Sequence, residues 1–526
     1  MNDTVVLTES LGGSRLSRAG RAGELPEWFV PRPQTPDAWK THARSVIASV
    51  DTSWLERLAP AFSASGAAAT RLQKSANGAG LVVTTGQQPG LFGGPLMTLA
   101  KALTARALAD TLQEATGLPV APVFWAATDD ADFDETATVS VALDGGARAL
   151  KLEPRAPAGT PVARVPMGND LARLTETLRD ACGSASHASY LECAVAAYHE
   201  GATIGDSYVA LLRAVLEPLE IAVLDVSHPA VAAASADVMQ RAATRAVAVA
   251  DAAKSRSDAI SATGFRPQVD DVAGLSLVFV NENDTKRRLT QAEAAKYSAS
   301  KERWLSSTVL LRPVLERAIL PTAAYIAGPG EFAYFAQVTA VADALELPKP
   351  LVVPRWSTTL IEPRVQKMLT ALGVSAPDLS DPHAVEGNLA RKAIDTQLAA
   401  ALVALKATTE AAVTRIADAN DGVIDPKVLD GLRRDIGHRI ERLERRVTAG
   451  VKRRESELMR EVATARGALY PHGIRQERKL AWLPFLARGG SAVLAAMLDA
   501  ATTHARGLVS TVQSLPIPHD ARSARV

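Results

Sequence analysis

Three short stretches of the chain combine residue types that could do chemistry together. The first, TTGQQPGLFGGPLMTLAK, places Gly86, Gln87, Gln88, Gly93 and Gly94 in a loop that runs into a helix. Glycines let backbone N–H groups turn toward a ligand, Pro95 suits a first helical position, and the helix dipole favours a phosphate or carboxylate there. Thr98 and Lys101 follow one turn into the helix. No G-x-x-x-x-G-K-[ST] string is present, so this is not a Walker A loop. The alternative is a turn that packs the helix tightly on a sheet.

The second stretch, TDDADFDE, concentrates Asp129, Asp130, Asp132, Asp134 and Glu135 after an apolar run ending near Trp125. Carboxylates at the carboxyl edge of a parallel sheet lie where open α/β folds bind ligands, and they could take Mg²⁺, an ammonium group or sugar hydroxyls. They do not form an EF-hand, because Glu135 stands at the glycine position and Val141 at that of the final glutamate. A solvated acidic loop is the plainer alternative.

The third, GPGEFA from Gly328 through Gly330 and Glu331 to Ala333, fits G-x-G-x-x-G/A formally. About 20 residues on, the chain offers VVPR and no acid for a ribose hydroxyl. An NADP-dependent oxidoreductase with Arg355 on the 2′-phosphate is therefore the runner-up, while Arg355 at a strand end could equally clamp a substrate carboxylate. Glu331, Tyr334 and Gln337 recur every three residues and present polar groups near the helix start. Nine histidines and two cysteines give no Ser-His-Asp, Cys-His or H-E-x-x-H arrangement.

Elements of alternating type must position these stretches. Leu81–Thr85, a helix from Leu96 to Thr116 and VAPVFWAA form a βαβ unit, and Thr322–Ala327, a helix to Leu345 and Leu351–Val353 repeat it. Further strands are expected at Ile221–Asp225 and Leu275–Val280, with Ala-rich helical insertions between Arg148 and Glu217 and between His228 and Pro267. The fold class is α/β: a Rossmann-like, doubly wound parallel-sheet core with helical insertions.

After Ala376 the strand signal vanishes. Leu398, Leu402, Leu405, Thr409, Ala412 and Ile416, then Leu429, Leu432, Ile436, Ile440, Leu443, Val447 and Val451, recur at three and four residues, with NDGVIDP between them. This predicts an antiparallel α-helical coiled-coil hairpin. We divide the chain into a core over 1–375, the coiled coil over 376–465 and a segment over 466–526 that packs back on both.

Composition excludes other classes. The 526 residues carry 58 Lys and Arg against 57 Asp and Glu, so no global field draws in nucleic acid or an anionic membrane. Two cysteines cannot make a disulfide framework, and no basic, apolar leader or run of 18 apolar residues is apparent. A cytoplasmic protein is expected.

In order, TTGQQPGLFGGPLMTLAK, PVFWAATDDADFDE, LLRPVLERAILPTAAYIAGPGEFAYFAQ, VVPRWSTTLIE and LYPHGIRQER resemble blocks of the bacillithiol-biosynthesis cysteine-adding enzyme family, BshC. The resemblance spans about Thr84 to Arg478. It implies a core related to class I aminoacyl-tRNA synthetases and a coiled coil that makes a homodimer. It also implies ligation of cysteine, through its carboxyl group, to the amine of glucosaminyl-malate, giving bacillithiol.

Amide formation from a free carboxylate is uphill in water, so the resemblance further implies ATP as co-substrate, with Mg²⁺ as an accompanying ion and no committed metal ligands. On this reading the loop from Gly86 to Gly94, with Lys101, steadies an anion. Asp129, Asp130 and Asp132 meet an ammonium, sugar hydroxyls or Mg²⁺, and Arg355 meets a carboxylate. Tyr470, His472, Gln476, Glu477 and Arg478 contribute to a nucleotide pocket. The chain departs from the family pattern at Ala131, where a histidine usually stands, and it lacks the HIGH and KMSKS strings of class I synthetases. No residue is singled out for proton transfer. A non-catalytic coiled-coil scaffold is the remaining alternative.

Overall fold

The computed structural model describes residues 4–282, 284–297, 304–381 and 383–510. The last sixteen residues of the segment placed at 466–526 therefore lie outside the described residues. Contacts divide the chain into two units, one of residues 1–141, 149–360 and 477–526, the other of residues 142–148 and 361–476.

The first unit is built on runs of apolar residues too short for helices. Strand β1 (Leu81–Gln87) is buried on both faces up to Gly86, then helix α1 (Leu96–Thr116) crosses over to β2 (Val120–Ala126), which is buried throughout. Strands hidden on both faces read as continuous apolar runs, which is the signature of a parallel sheet covered by helices. Beside β2 lies β3 (Ala222–Asp225).

The stretch expected to supply another strand does so in a different sheet. Strands β4 (Leu275–Glu282), β5 (Thr285–Thr290) and β6 (Trp304–Ser307) form a three-stranded antiparallel sheet ordered β5-β4-β6. The reason is the link between β4 and β5, far too short for the crossover that a parallel pair requires.

Helix α2 (Arg312–Ile319) leads into β7 (Thr322–Ala327), helix α3 (Pro329–Leu345) and β8 (Val352–Pro354). The five-stranded sheet is parallel throughout and ordered β8-β7-β1-β2-β3. Strand order thus reverses between β1 and β7, where their carboxyl ends part and leave a crevice.

Gly86 opposes Trp125 across the β1–β2 register, and a side chain at Gly86 would meet the Trp125 carbonyl at 3.1 Å. Pro95 sits just before α1 rather than in its first turn. It bridges to Ala481, and the Leu96 N–H donates to the Leu480 carbonyl at 2.8 Å. One N-terminal donor of α1 is thereby consumed inside the protein.

In the second unit, helices α4 (Thr396–Asp418) and α5 (Pro426–Arg454) pack together as the expected hairpin, followed by α6 (Ser456–Leu469). Arg433 on α5 reaches back to Glu410 at 2.8 Å and to Thr414 at 3.3 Å. The apolar seam is only partly covered. Val413, Leu429, Ile440 and Val451 are buried, but Leu398, Leu405, Ile416, Leu432 and Leu443 remain 41–46% exposed.

Back in the first unit, α7 (Leu483–Val509) lies along α1. It is the one helix among the described residues long and apolar enough to cross a membrane. Its inward face, including Leu486, Val493, Met497 and Ala501, is buried in the protein, which is the pattern of a core helix.

Candidate functional site

A cavity of about 800 Å³ opens at the carboxyl edge of the parallel sheet. The loops after β1, β2 and β7 and the end of β8 supply Gly86, Gln87, Gln88, Asp129, Asp130, Asp132, Gly328, Gly330, Glu331 and Arg355, joined by Lys101 from α1 and Tyr334 from α3. Most of the residues selected from three distant sequence stretches therefore meet around one space. β4, β5 and β6 add Leu277, Phe279, Lys286, Arg288 and Ser307.

The floor is a largely buried charged network. Lys101, 3% exposed, donates to the Gly86 carbonyl at 2.8 Å and to Gln87 Oε1 at 2.9 Å, and it pairs with Glu331. Glu331 in turn accepts the Gly328 N–H and the Tyr325 hydroxyl, each at 2.8 Å. Burial works against the Glu331 charge, yet Lys101, Arg312 and the Gly328 N–H outweigh it and hold the carboxyl below its ordinary range.

Arg312 donates to the Tyr334 hydroxyl at 3.0 Å and the Tyr325 hydroxyl at 3.1 Å, with Glu316 at 3.5 Å. Glu316 is buried, and desolvation lifts its carboxyl to about 7 although Arg312 opposes the shift. A buried ion network of this kind is costly unless every member is bonded.

Its geometry decides what the GPGE turn can do. The start of α3, where a dinucleotide pyrophosphate would sit, is already capped by the Glu331 carboxylate. Arg355, expected to clamp a ligand, is held bidentately by Glu477 at 2.7 and 2.8 Å, and Ser357 and the Thr358 N–H complete the carboxylate's shell. Both features count against the NADP-dependent oxidoreductase.

The acidic loop is dispersed rather than convergent. Asp129 pairs with Lys286 at 3.1 Å, and Asp130 accepts Gln88 Nε2 at 2.6 Å and the Asp132 N–H at 2.9 Å. Asp132 caps the short helix Phe133–Thr136, and Asp134 pairs with Lys151 at 2.9 Å. Among the described residues, no group of three or more His, Cys, Asp or Glu side chains could hold a metal ion.

Among the residues selected from these three stretches for the substrate, four stand outside the cavity lining. Gln337 is fully buried and donates to Ser257 Oγ at 3.0 Å and to the Val269 carbonyl at 2.8 Å, so it shapes the Val269 segment of the wall from behind. Gly93 and Gly94 belong to the far end of the loop and Thr98 to the first turn of α1. Gly93 accepts Trp482 Nε1 at 2.9 Å and donates to the Tyr198 hydroxyl at 3.2 Å, while the Thr98 hydroxyl is buried without a partner among the described residues.

Gly93 has φ +85°, and a side chain there would sit 2.4 Å from the Trp482 ring. Gly93→Ala is accordingly expected to destabilise the first unit by about 2–4 kcal/mol, read as a lower urea midpoint with unchanged slope. Full stability in that variant would contradict the packing role.

Within the block from Tyr470 to Arg478, Glu477 belongs to the Arg355 pair and Arg478 reaches the cavity wall with no partner among the described residues. Tyr470, His472 and Gln476 lie in the second unit; His472 holds φ +53°, and Gln476 donates to the Ala468 carbonyl at 2.7 Å. Sequence reasoning missed Arg312, Lys286, Arg288 and Phe279. Arg312 lay in a stretch already singled out, LLRPVLERAILP, but β5 gave no chemical signal because TKRRLT reads as a solvated strand.

Comparison with known proteins agrees with this architecture. Residues 24–304 and 276–356 match the family model described as "Bacillithiol biosynthesis BshC, N-terminal Rossmann-like domain", and residues 358–507 match its C-terminal coiled-coil domain. A protein of Solibacter usitatus named "Putative cysteine ligase BshC" is 33% identical over 439 residues, covering 80% of this chain and 82% of that protein. Proteins of the same name from Koribacter versatilis and Salinibacter ruber are 30% and 28% identical, covering 85% and 79% of this chain and 87% and 79% of theirs. Two domain matches in sequence, and relatives aligned over most of their length, lead to one conclusion: the chain belongs to the BshC family of bacillithiol biosynthesis.

Proposed function

We propose that this chain is a cysteine ligase that joins the carboxyl group of cysteine to the amine of glucosaminyl-malate, forming bacillithiol, with ATP activating the carboxylate. The observation that carries the reading is one cavity at the strand-order reversal whose floor holds the ion-paired Lys101, Arg312 and Glu331 and whose rim holds the acidic loop. A zwitterionic amino acid and an acidic amino sugar both need opposite charges placed a few ångströms apart.

In this assignment, Lys101 and the Gly86–Gln88 backbone steady the anionic carboxyl being activated, and Asp130, positioned by Gln88, meets an ammonium or sugar hydroxyl. Arg478 lines the cavity with no hydrogen-bond acceptor among the described residues, and it fits a nucleotide's phosphates. ATP supplies the leaving group, and Mg²⁺ arrives with its phosphates. Gly328, Gly330, Tyr334 and Arg355 shape the wall rather than bind by charge. A cytoplasmic location accords with cysteine and ATP as substrates.

The test is nucleotide turnover with and without cysteine. Conversion of ATP to AMP or ADP that depends on cysteine supports the reading, and cysteine-independent or absent turnover in the presence of both substrates defeats it.

The exposed residues of the helical hairpin support a homodimer formed there. Leu405→Glu combined with Leu443→Glu is expected to weaken self-association by about a hundredfold or more, because two charges would enter an apolar seam. Sedimentation velocity should then show a monomer; an unchanged dimer would place the interface elsewhere.

A further inference from the structure

We propose that Glu135 is the base that takes a proton from the acceptor's ammonium group as the amide forms, an assignment that rests on the ligase reading above. Five carboxylates leave β2 in the acidic loop, and four are occupied: Asp129 by Lys286, Asp130 by Gln88 and the Asp132 N–H, Asp132 by the Glu135 N–H, and Asp134 by Lys151. Glu135 lines the cavity, and its carboxylate has no hydrogen-bond or ion-pair partner among the described residues. It is thus the member of the loop free to accept a proton without first breaking an internal bond.

Its surroundings suit that task. The Glu135 side chain is exposed at the cavity mouth, where the desolvation it does meet, then repulsion from Asp132 and Asp130, raises its proton affinity, while Lys101 and Arg478 pull the other way. Lys101 also ties Glu135 electrostatically to the place where the cysteine carboxyl is held. Three other carboxylates reach the cavity: Glu331 is paired with Lys101, while Asp270 and Asp271 come from the loop before β4, and the charge of Asp271 acts on Arg288.

The step balances without oxidation. The acceptor ammonium gives one proton to Glu135, and the freed lone pair forms the C–N bond to the activated cysteine carbonyl carbon. The bond from that carbon to the activating oxygen breaks, its electron pair leaving on oxygen. The second N–H proton passes to solvent as the amide forms, and Glu135 returns its own proton to solvent.

The full chain would be assayed as wild type, Glu135→Gln and Glu135→Asp, with cysteine, ATP and Mg²⁺, using either glucosaminyl-malate or hydroxylamine as acceptor. Hydroxylamine is already neutral near neutral pH and needs no base. Glu135→Gln should lower transfer to glucosaminyl-malate by about 10²–10⁴-fold and remove the acidic limb of the kcat/KM profile, yet leave hydroxamate formation at the wild-type rate. Glu135→Asp should restore part of the transfer. Wild-type transfer by Glu135→Gln, or an acidic limb that disappears only in Asp270→Asn or Asp271→Asn, would overturn this assignment alone. Absence of any product from wild type with both acceptors would overturn the ligase reading, and this assignment with it.

Discussion

Glu477→Ala is expected to lose about 3–5 kcal/mol of folding stability, one of the two largest effects of any single substitution considered for this chain. Arg355 and Glu477 are 2% and 3% exposed and joined by two bonds, so removal of the acid leaves a guanidinium buried with no counter-charge. The Ser357 hydroxyl and the Thr358 N–H lose their acceptor as well. Replacing both members, as in Arg355→Met with Glu477→Leu, should cost much less, because no charge is then stranded.

The pH dependence follows. Burial opposes the Glu477 charge, but Arg355, Ser357 and Thr358 hold the carboxyl below its ordinary range. A depressed folded-state pKa contributes stability that is complete above the unfolded value and is lost as pH falls through the folded one. Wild type should therefore lose stability through the acidic carboxylate range, and Glu477→Ala should show a shallower loss. Urea midpoints measured across that range check both statements; equal midpoints for the two proteins near neutral pH would contradict the role assigned to the pair.

Lys101→Met should be nearly as severe, and it acts on activity as well as stability. The ammonium joins the end of β1, through the Gly86 carbonyl and Gln87, to the start of α3, through Glu331. Its removal takes the nearest cation from the largely buried Glu331, which keeps the Tyr325 hydroxyl and the Gly328 N–H, and costs about 2–3 kcal/mol. If the ammonium also steadies the developing negative charge on the cysteine carboxyl, turnover of the folded fraction should fall by about 10²–10³-fold. Glu331→Gln separates the two roles, since the amide oxygen can still accept the Gly328 N–H while Lys101 stays in place. That variant should be destabilised yet keep more of its activity than Lys101→Met. Equal rates in all three proteins, corrected for folded fraction, would remove Lys101 from the chemistry.

Much of this arrangement was legible before the fold. Apolar runs with glycine-rich links placed β1, α1, β2, β7 and α3, and the rule that ligands lie at carboxyl strand ends brought Gly86, Asp130 and Glu331 to one edge. The partners were not legible. Arg355 read as a free clamp because nothing local announces Glu477, 122 residues later, as its counter-ion. Gln337 read as a site residue from its spacing on α3, but a three-residue rhythm cannot tell which stripe faces the cavity and which faces the helix Ala246–Ala262. Of the antiparallel sheet, β4 was expected as a strand but β5 was not, because it mixes charged and apolar residues and only tertiary packing shows which of its faces points inward.

The most direct test of the central claim is mass spectrometry of the purified chain incubated with cysteine, ATP, Mg²⁺ and glucosaminyl-malate, with Asp130→Asn and Gln88→Ala run in parallel. The account predicts a new product at the mass of bacillithiol in the wild type, and its loss or strong reduction in both variants, because Gln88 Nε2 and Asp130 form one bonded pair at the cavity edge. No product from a folded wild-type chain, or equal product from all three proteins, would contradict it.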